Sequence, residues 1–306
     1  MVDVWIVFQK MFVLLVMMAV GFVAGKRKVM TEQCNHCLST LINKVTMPCM
    51  VLQAAVSSER TLENREVLLL TGLYFLAFAL TIVLAKLFRL ALHAQTGDGG
   101  VYEMLMIFPN GSFIGIPVGL TIFGSAAVFG ISLLNLPFFV VLYCYGVSLI
   151  QGVPLRSVNL KQIFSPLMLA SMLGLALYLG NVKLPAVALE CMQTIGQFTT
   201  PGAIMLIGAT LAGAPLKGAA RNWRLYLVAL GKLVVVPVAV RLVLGLFVKN
   251  PVLLGLVTLT SAMPTASFVS LFAAEYEKDA TLAAEGVFLT TVLSVVTIPL
   301  MVMLLL

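Results

Sequence analysis

Asn110 and Ser112 stand inside an apolar run, within Phe108-Pro109-Asn110-Gly111-Ser112-Phe113-Ile114-Gly115-Ile116-Pro117. Thr265 and Ser267 stand inside a second one, Met263-Pro264-Thr265-Ala266-Ser267-Phe268-Val269. An amide and three hydroxyls are groups that hold a small polar or anionic molecule, and an amide in apolar surroundings is costly unless paired. Each set follows a proline, which removes a backbone donor and clashes with the turn before it, so each marks a broken helix. At a break, one half-helix presents carbonyls and the next presents N–H groups. Two convergent N-termini make a partly positive pocket that suits a carboxylate or a polar neutral ligand; the carbonyl ends could instead hold a cation. Pro109, Asn110, Gly111, Ser112, Pro264, Thr265 and Ser267 are therefore the first substrate-binding candidates.

The two runs follow one pattern: proline, polar, small, serine, phenylalanine, aliphatic. The second begins 155 residues after the first (109 to 264). A second pair of matches, Thr46-Met47-Pro48 and Thr199-Thr200-Pro201, lies 153 residues apart (48 to 201). Two matches at nearly one offset in 306 residues point to two structural halves, 1–151 and 152–306.

Those halves must be membrane-embedded. Hydrophobic residues make up 61% of the chain, charged residues 10%, and the mean hydropathy is +1.08, whereas a soluble domain is about 25% charged. No sequence remains for a soluble domain, and the net charge of +7 reports orientation, not nucleic-acid binding. The N-terminal apolar run, with Asp3 ahead of it and Lys26-Arg27-Lys28 closing it, reads as a spanning helix and not as a cleaved signal peptide. Spans of about 20 apolar residues are expected near 4–25, 34–56, 67–88, 101–123, 126–150, 164–181, 187–213, 225–247, 252–273 and 283–305, numbered helices 1 to 10 in order. With the N-terminus outside, eleven Lys and Arg fall in cytoplasmic loops (Lys26, Arg27, Lys28, Lys86, Arg89, Arg156, Lys161, Lys217, Arg221, Arg224, Lys278). Four fall outside (Arg60, Arg65, Lys183, Lys249), so both termini are expected to be extracytoplasmic. Five spans per half is odd, so the second half enters the membrane inverted. The breaks fall on helices 4 and 9, where a two-fold axis in the membrane plane can bring them side by side, as in many secondary transporters.

Here the residues resemble a known family. Asn110-Gly-Ser-Phe-Ile-Gly-Ile-Pro117 and Met263-Pro-Thr-Ala266 look like the two broken-helix motifs of the auxin efflux carrier (PIN-like) family. Val45-Thr-Met-Pro48, Pro201 with Leu206-Ile-Gly-Ala209, and Leu289-Thr-Thr-Val-Leu-Ser294 with Pro299 extend the resemblance over nearly the whole chain. It implies an all-α protein of ten transmembrane helices in two inverted repeats of five, with crossing broken helices 4 and 9. It also implies a scaffold of helices 1, 2, 6 and 7, a mobile transport part of helices 3–5 and 8–10, and dimers among relatives. Relatives carry small organic anions, such as dicarboxylates or indole acetate, and the fold is shared more distantly with bile-acid:sodium symporters. The short connection between helices 5 and 6 fits a prokaryotic inner-membrane member. The sequence departs from the pattern at Phe268, where many bacterial members have asparagine.

Other polar residues near spans have two readings each. Asn43, Thr199 and Thr200 are further substrate-binding candidates, since the kinks of helices 2 and 7 face the binding region in the family; serine and threonine also bond back to their own helices. Lys10 and Lys44 are coupling candidates as charges within spans, although Lys44 can snorkel. Glu190 and Glu285 are the carboxylates weighed for proton coupling, the alternative being solvated helix ends. Lys232 and Arg241 read as snorkelling residues, and Asn135 with Pro137 as shaping a packed kink. The five cysteines (Cys34, Cys37, Cys49, Cys144, Cys191) read as small buried hydrophobes. Cys34-Asn35-His36-Cys37 lacks the further ligands of a zinc site, with His93 the other histidine, so no metal or cofactor is expected.

The function expected is a secondary carrier of small organic anions that works by alternating access, with proton coupling, sodium coupling and uniport all open. The alternatives are a sodium-coupled symporter resembling bile-acid carriers, or a channel or ligand sensor on the same fold. No paired acids, activated nucleophile or phosphate-binding loop argues for an enzyme or an ATP-driven pump.

Overall fold

The computed structural model describes residues 4–56, 62–92, 99–151, 164–213 and 222–305. Among them every regular element is a helix, and the sole extended feature is an antiparallel bridge between Pro109 and Thr265. Helices Asn64–Ala91, Ala127–Gln151, Ala186–Gly213, Trp223–Gly245 and Ala280–Leu305 are long and apolar enough to cross a membrane. Shorter apolar helices cover Phe12–Lys26, Gly111–Phe123, Pro166–Leu179 and Pro251–Ser261.

Polar residues set where helices begin. Thr31 Oγ1 accepts from the Cys34 N–H at 3.3 Å, and Ser165 Oγ from that of Met168 at 3.1 Å. Asn250 Oδ1 accepts from Val252 and Leu253 ahead of a helix that starts on Pro251. These caps satisfy first-turn donors that have no partner within the helix, and proline at the first position has no donor to satisfy.

Prolines set where helices widen. Three of the four π-helical turns among the described residues, Ile42–Thr46, Gly111–Gly115 and Gly231–Val235, are each centred four residues before a proline (Lys44 before Pro48, Phe113 before Pro117, Leu233 before Pro237), while the fourth, Leu142–Gly146, is not. Proline cannot donate to the carbonyl four residues back, and its ring pushes that carbonyl aside, so the turn opens to a longer hydrogen bond.

The chain divides into two compact units. Unit 1 comprises Met1–Leu70, Ser112–Leu136 and Phe164–Gly213; unit 2 comprises Thr71–Gly111, Pro137–Ile163 and Ala214–Leu306. Helices 1, 2, 6 and 7 thus fall in unit 1, together with the part of helix 4 that follows the break and the start of helix 5.

In unit 1 the helix Val4–Lys26 packs against Thr199–Gly213 at backbone distance. A Cβ on Gly21 would lie 2.1 Å from the Met205 carbonyl oxygen, and one on Gly208 would lie 2.0 Å from that of Met18. Only glycine permits this approach, which in a membrane replaces hydrophobic driving force with van der Waals contact. Phe129 stacks on Tyr178 (4.6 Å between centroids, 17°), and the Tyr178 hydroxyl donates to the Leu62 carbonyl. Unit 2 is built around the last turn of Gly99–Ile107. Gly286 lies against Leu105 and Gly231 against Met106 and Phe88, so two other helices close directly onto that turn.

The cysteines depart from expectation. Cys34, Cys37 and Cys191 are exposed, because Cys34 and Cys37 lie on a ten-residue helix, Glu32–Leu41, with no buried residue, and Cys191 lies on the open face of Ala186–Gln197.

Candidate functional site: the paired helix breaks

Unit 2 contains both breaks. The helix Gly99–Ile107 ends before Pro109, and Pro251–Ser261 ends before Pro264. Between them the chains pair like two short antiparallel strands around the Pro109–Thr265 bridge. The Asn110 N–H donates to the Pro264 carbonyl at 2.7 Å, and the Ala266 N–H to the Phe108 carbonyl at 2.9 Å. Each break therefore supplies the partner that the other lacks, which is how irregular backbone is satisfied where water is absent.

Side chains complete the arrangement. Thr265 is fully buried, and its hydroxyl donates to the Leu105 carbonyl at 2.5 Å. Its N–H donates to Thr290 Oγ1 at 3.3 Å, and the Thr290 hydroxyl donates to the Gly286 carbonyl of its own helix at 2.9 Å. Asn110 is 6% exposed. Phe108 and Phe268 belong to an aromatic cluster: Phe138 meets Phe108 edge-on at 5.5 Å and Phe268 at 6.3 Å, and Phe268 also meets Phe139 at 6.3 Å. Phe268, which replaces the expected amide, is thus one of the rings that pack beside the breaks.

Ser112, the first residue of the next stretch of unit 1, donates to Asn135 Oδ1 at 3.0 Å. Asn135 Nδ2 donates to Ser171 Oγ at 3.3 Å, and the one Ser171 O–H has the carbonyls of Leu167 (2.9 Å) and Ser132 (3.2 Å) in reach. Asn135 is more than the kink-former that the sequence suggested. It is a buried junction that joins helices 4, 5 and 6 within unit 1, satisfying polar groups at membrane depth.

A hydroxyl has one O–H to give. Those of Ser112 and Thr265 are given to Asn135 and to Leu105, so in this arrangement neither donates to an anion. Asn110 carries two N–H donors on one nitrogen. Ser267 is exposed and precedes the helix Phe268–Glu275 without capping it. Thr199 donates to Thr46 Oγ1 at 2.9 Å within unit 1, so the matched threonines of helices 2 and 7 meet directly. Thr200 and Asn43 are half-buried, and Asn43 Nδ2 reaches Ser39 Oγ at 3.4 Å. Pro109, Gly111 and Pro264 are buried.

The coupling candidates do not gather in one place. Lys44 and Glu190 are exposed, and Glu285 is 9% exposed beside Gly286. The side chain of Lys10 lies outside the described residues, as do Arg60, His93, Arg156, Lys161, Lys217 and Arg221. Lys232 does not snorkel: it is 1% exposed at mid-helix. Arg241, one turn from the end of its helix, is half-buried. Sequence reasoning passed over Glu103, which is 2% exposed in unit 2. It accepts from Arg89 at 2.7 Å and from the Tyr145 hydroxyl at 3.0 Å. Its position near the start of the span expected at 101–123 was the available signal, because a carboxylate there must be paired or solvated.

A comparison with protein families matches the chain over residues 6–153 and again over 151–302 to the family described as membrane transport protein. The chain belongs to that family. Comparison with individual curated proteins gives no match. The membrane transport family is the auxin efflux carrier-like one that the broken-helix motifs resemble, and it is a family of transporters, not of enzymes. With its membrane-length apolar helices, this transporter is an integral membrane protein that takes a small-molecule substrate.

Proposed function

We propose that the protein is a secondary carrier of small organic anions, mono- or dicarboxylates or auxin-like acids, which binds its substrate at the paired breaks and exposes them alternately to the two sides of the membrane. The observation that carries this reading is the Pro109–Thr265 pairing, which buries an amide at the point where two spanning helices are interrupted. Asn110 donates to a substrate carboxylate, and the N-terminus of Phe268–Glu275, one of the two helices that begin past the breaks, adds a partial positive charge. Pro109, Gly111 and Pro264 shape the site, and Ser267 supplies an exposed hydroxyl beside it. The excess of Lys and Arg in alternate loops supports extracytoplasmic termini, and the short connection after Gln151 supports a prokaryotic inner-membrane protein.

The test is a thermal-shift panel on purified protein with mono- and dicarboxylates, indole acetate, bile acids and neutral analogues. A ligand that binds the native state raises the melting temperature by mass action. The reading expects a carboxylate to raise it and the matched neutral amide to leave it unchanged. Stabilisation by the neutral compound alone would overturn the anion assignment.

A further inference from the structure

The aromatic side chains that follow the second break form a row. Phe268, Phe272 and Tyr276 come at four-residue spacing, which puts them on one face of Phe268–Glu275 and its C-cap. Phe139 and Tyr143, four residues apart on Ala127–Gln151, pack against that row. Phe139 meets Phe268 at 6.3 Å and Tyr143 at 6.4 Å. Tyr143 meets Phe272 at 5.6 Å, and Phe272 meets Tyr276 at 5.7 Å. Phe139 and Phe272 are each 3% exposed, whereas Phe268, Tyr143 and Tyr276 are half-buried. The row therefore has a covered back and keeps part of its rings uncovered, beginning at Phe268, three residues after Thr265.

A negative charge is attracted at one end of this row only. Asn110 brings the one side-chain amide of the two breaks, and the first turn of Phe268–Glu275 brings the partial positive charge of a helix start. The Pro109–Thr265 bridge holds the two breaks together, so both attractions serve one carboxylate. The hydroxyls of Thr265 and Ser270 are given to the carbonyls of Leu105 and Ser267. At the far end of the row stand the C-terminus of the same helix, which carries a partial negative charge, and the exposed Glu275 and Glu277. A second carboxylate placed along the row would exchange water for rings and approach like charges. An apolar body in the same place covers the open rings and loses nothing.

We propose that the preferred cargo is a monocarboxylate with an aromatic or other apolar body, and that Phe268 sets this preference over dicarboxylates. The carboxylate lies at Asn110 and the body lies along Phe268 and Tyr143. A dicarboxylate still binds through one of its two ends, but more weakly. The inference rests on the carrier reading for the carboxylate at the breaks and adds the nature of what is attached to it.

The experiment is isothermal titration of the purified full chain with 3-phenylpropionate and with succinate at one pH and ionic strength, with 3-phenylpropionamide as the uncharged control. It is run on wild type, Phe268→Leu and Phe268→Asn. Wild type is expected to bind 3-phenylpropionate at least about tenfold more tightly than succinate, the scale of one aromatic pair, and not to bind the amide. Phe268→Leu, which keeps an apolar side chain without the ring, is expected to lose most of that advantage and to bind succinate as wild type does. Phe268→Asn is expected to favour succinate. A substitution that merely loosens the fold moves both affinities together, whereas a change of specificity moves their ratio. Succinate binding to wild type as tightly as 3-phenylpropionate overturns the proposal, and so does a ratio unchanged in Phe268→Leu; in either case a bound anion leaves the carrier reading standing. Binding of neither anion, or of the amide alone, overturns the carrier reading and this proposal with it.

Discussion

The two breaks share one sequence pattern but make different bonds. At the first, the Asn110 N–H reaches the Pro264 carbonyl and the Gly111 N–H turns back to the Pro109 carbonyl at 2.9 Å. At the second, the Thr265 N–H goes to a side chain, Thr290, and the Ala266 N–H reaches across to Phe108. The register explains the asymmetry. An offset of 155 is odd, so a two-fold axis relating the breaks falls between two pairs, Pro109–Thr265 and Asn110–Pro264. Adjacent pairs in an antiparallel ladder alternate between hydrogen-bonded and non-bonded kinds, so the two cannot be equivalent. A duplicated motif is thereby pushed into two roles. The second break is held by its threonine, whose hydroxyl and N–H are both engaged inside unit 2. The first keeps an amide at the position where the second has that threonine.

The comparison can be broken most easily at its two equivalent residues. Asn110→Ala is expected to lower carboxylate affinity by tenfold or more, about 1.4 kcal/mol, measured by isothermal titration on protein that still melts cooperatively. Thr265→Val is expected to do the reverse. It leaves the buried Leu105 carbonyl without its donor, which costs about 1–3 kcal/mol of stability, and denaturation of the purified protein should show the loss. The junction that holds Ser112 comes next. Asn135→Ala strands Ser112 and frees Ser171, and should destabilise by about 1–2 kcal/mol, whereas Asn135→Asp, which keeps the acceptor for Ser112, should retain more of the folded population by size-exclusion profile. The smallest effect is expected at Ser267→Ala, within about 0.5 kcal/mol by melting, since the side chain is exposed and caps nothing.

Much of this arrangement could be read from residue types. Prolines inside apolar runs announced both breaks, and the repeated pattern placed them as partners, because a broken spanning helix must find its hydrogen bonds in another protein segment. Other prolines, Pro48, Pro117 and Pro237, accompany π-helical turns, a link that becomes visible only through the observed spacing of four residues. What stayed hidden depends on neighbours distant in sequence. Asn135 was legible as a polar residue in a span but not as the partner of Ser112 and Ser171, which lie 23 and 36 residues away. Lys232, which the sequence suggests as a snorkelling residue, is the tenth residue of the 23-residue helix Trp223–Gly245 and is buried. The partners of Glu103, Arg89 and Tyr145, lie 14 and 42 residues away, so its pairing is not visible along the chain. The exposed Cys34, Cys37 and Cys191 show the opposite error, since an apolar sequence neighbourhood does not say which face of a helix is covered.

The claim that the first break binds while the second holds is tested most directly by equilibrium binding of a radiolabelled dicarboxylate to three purified proteins: wild type, Asn110→Ala and Thr265→Val, each at a temperature where all are folded. The account predicts that wild type and Thr265→Val bind with similar affinity and that Asn110→Ala binds at least about tenfold more weakly, the scale of one lost charge-assisted hydrogen bond. Wild-type affinity in Asn110→Ala, with binding abolished in Thr265→Val, would contradict it and move the site to the second break.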